Sequence, residues 1–352
     1  MNMLDDRIRD ACHRIEELYH ETEGKCYVSF SGGKDSTVLL ALIKLCEEIL
    51  TIPPNSIPAV FCNTGIEMQV TVDFVNWVKE NYYPNVVIIR PEKSFDWVIK
   101  NYGKPVRSKL KSEFLQRYHH STRTRNVMQN LVIGVSNSGK VATRSKLADR
   151  DMHMLHDNFP INASNKCCSI MKKKPMTKYA RDTGAKGFMV GIRMGEGGAR
   201  ELNTIHHSDK AKICTSISRG YIKKAVIIDW SEEEVNEFID KYNVPLSEAY
   251  TKYGFTRTGC CACPYARDVS RNLEYLFKYE PNRYKAMMHW LKDVYIAQGV
   301  VLPFDKQYEK ERHQTWQAIY EPMRQEVLRK YRPESRLIKD GDQLSLFDEE
   351  TI

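Results

Sequence analysis

Six consecutive residues, Ser31-Gly32-Gly33-Lys34-Asp35-Ser36, bring together two glycines, a cation, a carboxylate and two hydroxyls. The β-branched and aromatic run Cys26–Phe30 before them reads as a buried strand, and the apolar run Thr37–Ile43 after them as a helix. A strand, a glycine turn and a helix start make an anion site, because glycines let the backbone approach a phosphate and helix N-terminal amides point at it. Ser31, Gly32, Gly33, Lys34, Asp35 and Ser36 are therefore the candidate phosphate cradle. A Walker-type loop needs an earlier glycine and a Gly-Lys-Ser/Thr ending, and this segment has neither. The plain alternative is a glycine turn that only joins strand to helix.

A second chemistry lies in the cysteines. Cys167-Cys168 is a vicinal pair, and Cys260-Cys261-Ala262-Cys263 contains a C-x-x-C. Four thiolates from Cys167, Cys168, Cys260 and Cys263 suit a 4Fe–4S cluster or a structural zinc. A vicinal pair is awkward for a zinc knuckle, which favours the cluster. Cys261 in place of Cys260 stays open, as does burial without any metal. Cys12, Cys26 and Cys46 fall on core faces. Cys62, at the end of the second strand, and Cys214, in a loop, are candidate sulfur-carrying thiols.

The elements that must position these groups alternate. Strands are expected at 26–30, 58–62, 86–90, 187–192 and 225–230, with helices between them. Short apolar strands alternating with helices predict an α/β fold with a mainly parallel, doubly wound sheet, and ligands bind beyond the carboxyl ends of such strands. The boundaries read as a nucleotide-binding α/β domain over 1–103 and 151–268, a basic insertion at 104–150, a helical region at 269–336 and a disordered acidic tail at 337–352. Within the insertion, 131–135 and 140–144 flank Ser136-Asn137-Ser138-Gly139 and read as a hairpin. Gly134–Lys140 mimics a Walker loop, but Val141 stands where a hydroxyl is needed. The aromatic stripe of the helical region, Tyr275 to Tyr320, reads as helix packing rather than base stacking.

The 352-residue chain carries a net charge of +8. From Lys104 to Arg150, 11 Lys/Arg stand against two acids, so this segment alone is +9. Such a block is the footprint of a nucleic-acid partner, with a solvated face as its alternative. No run approaches the roughly 20 apolar residues of a membrane span. The polar, acidic N-terminus is unlike a signal peptide, so a cytoplasmic protein with no membrane partner is expected.

The segments taken together resemble the phosphoadenosine phosphosulfate reductase family, within the adenine nucleotide α-hydrolase-like, PP-loop ATP pyrophosphatase superfamily. The resemblance rests on Ser31–Ser36, Phe61–Glu67, Lys166-Cys167-Cys168 with Lys173-Lys174-Pro175, Gly191-Ile192-Arg193 with Glu196 and Arg200, Trp230-Ser231, and Gly259–Pro264. It implies that Ser31–Ser36 hold ATP phosphates, that Asn63, Thr64 and Glu67 lie over the nucleotide, and that Lys34, Asp35, Arg193 and Arg200 act in catalysis. Asn63 stands where the family usually has aspartate. The four cysteines resemble the cluster ligands of the adenylylsulfate reductase branch.

Two departures separate the chain from sulfonucleotide reductases. Those usually degrade the phosphate loop, which is intact here, and they need a nucleophilic cysteine near the C-terminus, whereas none follows Cys263. The features are closest to the ATP pyrophosphatases of DNA phosphorothioation. The implied activity is ATP-driven adenylation of an acceptor for sulfur transfer to nucleic acid, DNA favoured over RNA. ATP, Mg²⁺ and a 4Fe–4S cluster are the implied cofactors, and a cysteine desulfurase is one sulfur donor of the right kind. The alternatives are a sulfonucleotide reductase using a partner thiol and a nucleotide-binding, DNA-associated regulator or defence protein. Gln343-Leu344-Ser345-Leu346-Phe347 resembles a bacterial sliding-clamp binding peptide, with docking on its own domain as the alternative.

Overall fold

The run Cys26–Phe30 forms β1, near the middle of a six-stranded sheet ordered β3-β2-β1-β4-β6-β5. β2 (Ala59–Cys62), β3 (Val86–Ile89), β4 (Gly187–Val190) and β6 (Tyr221–Ala225) join β1 in parallel, and β5 (Thr215–Ser218) closes one edge antiparallel to β6. The chain is described by a computed structural model over residues 3–50, 52–120, 124–194, 214–218 and 220–331. The described residues of 1–92 and 171–260 form one compact unit, and those of 93–170 and 261–352 a second. The α/β class and the mainly parallel sheet expected from the sequence are observed.

In the first unit the central strands are largely apolar because helices cover them: all four residues of β2 are buried. α1 (Met3–Glu21) presents Leu4, Ile8, Ala11, Ile15 and Leu18 at helical spacing to that core. α2 (Lys34–Ile49) buries Val38 through Ile43 against β1 and the end of the sheet. Its N-terminus lies just beyond the carboxyl end of β1.

The last parallel strand differs from the expectation at 225–230. It runs over Tyr221–Ala225, and Val226–Asp229 form a turn. Two lysines hid the strand. Lys224 is 1% exposed, with its ammonium 2.7 Å from the Glu17 carboxylate and 2.8 Å from Thr215 Oγ1. The turn has its own anchor: Arg14 donates to the Val226 carbonyl at 2.7 Å and, with Arg7, grips Asp229 at 2.7–2.9 Å.

The second unit is helical, with helices at Phe95–Tyr102, Lys109–His120, Val269–Tyr279, Pro281–Ala297, Lys306–Thr315 and Glu321–Tyr331. Its aromatics pack together: His153 is buried against Phe159, Trp316 and Tyr320, with ring centroids 5.0–5.8 Å away. The hairpin expected at 131–144 is corrected. Gln129–Ile133 form one wide helical turn, and strand pairing shrinks to a single bridge between Val135 and Val141. Helix wins here because Thr124 caps the preceding turn and the Asn130 amide bonds back to the Asn126 carbonyl at 2.8 Å.

Candidate active site at the phosphate loop

Gly32 lies at φ +70°, the left-handed region, where a Cβ would also stand 3.0 Å from Val75 Cγ2. Gly33 caps α2 in extended conformation and has no side chain of its own to bond the first-turn amides. The loop is tied internally. Ser36 Oγ donates to the Gly33 carbonyl at 2.8 Å and accepts from the Ser31 amide at 3.2 Å. Ser31 Oγ accepts from the Gly33 amide at 3.3 Å. The turn is thus pre-formed, with the helix dipole behind it. Gly191, just past β4, allows the closest approach: a Cβ there would lie 2.5 Å from the Asp35 carbonyl oxygen.

Two cations converge beside the loop. Arg193 is 8% exposed, and its Nε donates to Asp35 Oδ1 at 2.8 Å. Lys34 Nζ and an Arg193 terminal nitrogen both bond the Glu232 carboxylate. Burial works against the charge on Arg193, yet Asp35 and Glu232 raise it above its ordinary value. Burial likewise opposes ionisation of Glu232, but hydrogen bonds from Lys34 and Arg193 hold it below the usual carboxylate range. Tyr250 Oη accepts from the Lys34 amide at 3.0 Å and lies 3.2 Å from Thr258 Oγ1. The structure therefore gathers Ser31 to Ser36 and Arg193 in one place.

The end of β2 forms a second polar group in the same unit. Glu67, 2% exposed, accepts from the Thr64 amide at 2.9 Å and from Thr64 Oγ1 at 2.7 Å. Lys172 Nζ lies 3.3 Å from Glu67 Oε1, and Cys260 Sγ 3.9 Å from the same atom. Burial opposes the charge on Lys172, but Cys260 and Glu67 together raise it. Asn63 turns inward to its own loop, its Oδ1 accepting from the Gly65 amide at 3.0 Å. Cys62 donates to the Met171 carbonyl at 3.2 Å, and burial pushes its thiol up to about 11. A thiol so raised is a poor thiolate at neutral pH.

The cysteines of the cluster expectation divide between the units. In the second unit Cys167 Sγ and Cys168 Sγ are 4.0 Å apart, and the same unit holds Cys263 and the Tyr265 hydroxyl. That phenol, raised chiefly by burial, bonds Ser112 Oγ and the Ser164 carbonyl at 3.1 Å each. Cys260 belongs to the first unit, beside Glu67 and Lys172. Cys261 is 2% exposed in the second. Among the described residues no three His, Cys, Asp or Glu side chains stand in metal-holding geometry. In donor type the four thiols suit an iron–sulfur cluster or zinc.

Arg200 and Glu196 lie outside the described residues, as do Arg123 and Gln343–Phe347. Residue-by-residue reading missed Glu232, Tyr250 and Thr258. The signal for Glu232 was its place after Trp230-Ser231, at the start of a helix with the Ser-x-x-Glu capping pattern. Nothing local marked Tyr250 or Thr258. Among the described residues no helix is long and apolar enough to cross a membrane.

The chain is similar to known proteins to differing extents. The model of the phosphoadenosine phosphosulfate reductase domain matches residues 25–132 and 109–266. An uncharacterized protein of Methanocaldococcus jannaschii is 24% identical over 266 residues, covering 74% of this chain and 41% of that protein. The chain spans about half the length, or less, of the first two curated relatives it matches. An adenosine 5'-phosphosulfate reductase of Staphylococcus haemolyticus is 23% identical, over 74% of this chain and 78% of that one. Among solved structures, the U34-tRNA thiolase NcsA of Methanococcus maripaludis with its [4Fe-4S] cluster covers 88% of this chain and 89% of its own, at 12% identity and a TM-score of 0.37.

Proposed function

This chain belongs to the phosphoadenosine phosphosulfate reductase domain family, and from that premise we propose an ATP pyrophosphatase that adenylates an acceptor for sulfur transfer to nucleic acid, DNA favoured. The observation that carries the reading is the pre-formed loop Ser31–Ser36 at the glycine-capped N-terminus of α2, with Lys34 and Arg193 converging beside it. The loop amides and Lys34 bind the phosphates. Charge that develops as the acceptor attacks the α-phosphate is met by donors already in place, which is where electrostatic catalysis acts. Arg193 is oriented for this by Asp35. Mg²⁺ enters with ATP as part of the substrate complex and neutralises the leaving pyrophosphate.

The basic segment 104–150 supports a polyanionic acceptor. Lys140, Arg144 and Lys146 are exposed on and beside the turn after Gln129–Ile133. Cys167, Cys168, Cys260 and Cys263 are the residues that would hold a 4Fe–4S cluster, with zinc as the other occupant. A bound cluster supplies a soft site for sulfur. The sulfur donor is a partner such as a cysteine desulfurase. Gln343–Phe347 is the segment that would engage a sliding clamp.

A second reading is a sulfonucleotide reductase with a partner thiol, favoured by the named activity of the Staphylococcus relative. Pyrophosphate release from ATP across DNA, RNA and sulfate acceptors separates the two. The first reading expects acceptor-dependent pyrophosphate. The second expects none, with sulfite formed from a sulfonucleotide when a thiol protein is supplied.

A further inference from the structure

We propose that Glu232 is a phosphate competitor built into the loop: its carboxylate holds Lys34 and Arg193, the cations that nucleotide phosphates require, and nucleotide binding displaces it. The inference rests on the nucleotide reading above. Four charges meet here, Lys34 and Arg193 against Asp35 and Glu232, and they sum to zero. A neutral site has little long-range attraction for a polyphosphate. Asp35 bonds Arg193, whereas Glu232 bridges both cations, as a phosphate oxygen pair would.

Glu232 is also placed to leave. Its side chain is 50% exposed. It opens the helix Glu232–Tyr242, yet the helix end does not depend on it, because Ser231 and Glu234 form a complete capping box. A carboxylate turned to water there still faces the positive end of the helix dipole, so the released position is itself favourable. Asn236, one turn on, has its Oδ1 3.4 Å from Lys34 Nζ and gives that ammonium a neutral neighbour once the carboxylate has moved.

The test is calorimetric titration of the full chain with ATP, free of divalent metal. Removing a competitor that is partly solvent-screened should tighten ATP binding by about fivefold in Glu232→Gln. Glu233→Gln makes the same charge change on the next residue and should leave the affinity within about twofold, since surface charges of this kind contribute little. Parent-like or weaker binding by Glu232→Gln overturns the proposal, as does equal tightening in Glu233→Gln. If neither the parent nor Glu232→Gln binds ATP, the loop assignment itself fails, an outcome distinct from parent binding that Glu232→Gln leaves unimproved.

Discussion

The phosphate loop and the Gln129–Lys146 segment both looked, in sequence, like glycine-bearing turns beside apolar runs. Only the first joins a strand end to a helix N-terminus. The difference lies in what surrounds the turn. Ser31–Ser36 emerges from a buried parallel strand and feeds a 16-residue helix, so backbone amides and a dipole face the opening. Gly134 closes a five-residue helical turn at φ +82° instead, and the residues after it make one isolated bridge. Glycine content is not enough. The strand before it and the helix after it decide what the backbone presents.

The contrast is most directly broken at Gly191, where backbone meets backbone. Gly191→Ala should cost about 3 kcal/mol of stability, the upper end for overpacking, because neither Asp35 nor the end of β4 can yield freely. Urea unfolding and ATP titration would register it. A wild-type-like Gly191→Ala variant would show that the loop is not held against the sheet as described.

The second unit makes the opposite case, since its sensitivity is electrostatic and internal. Burial lowers His153 to about 4. A histidine depressed on folding stays neutral in the native state while the unfolded chain takes up protons below about 6.5, so stability falls as pH drops from about 6.5 toward 4. The loss should reach about 2 kcal/mol at pH 5 relative to pH 7.5. His153→Phe should flatten that dependence in urea melts. An unchanged slope would remove His153 as its source.

The smallest effect concerns the exposed basic turn. Converting Arg125, Lys140, Arg144 and Lys146 to glutamine together should lower the salt slope of DNA binding by about one unit for each phosphate no longer neutralised. Filter-binding constants across a salt series would measure it. An unaltered slope would make this turn a solvated face and leave the contrast with the phosphate loop purely one of fold.

Legibility in the sequence tracked local physics. The loop could be read because its serines and glycines bond the loop's own backbone, as the Ser31, Gly33 and Ser36 bonds show. The parallel sheet was visible in its apolar strands, except where Lys223 and Lys224 disguised β6. Tyr250 and Thr258 carried no local signal, and Glu232 only a helix-cap one, because the fold brings all three to Lys34 and Gly33 from about 200 residues away. The 131–144 hairpin misled because alternating apolar residues suit a helical turn equally well once Thr124 and Asn126 supply its bonds.

Pyrophosphate release from ATP by the full chain, set beside Lys34→Ala, tests the central claim most directly. The account predicts release that depends on a nucleic-acid acceptor and falls by at least about a hundredfold in the variant, the scale of losing a charge-stabilising donor. Release unaffected by Lys34→Ala, or ATP left intact with every acceptor while a sulfonucleotide is reduced with a partner thiol, would contradict it.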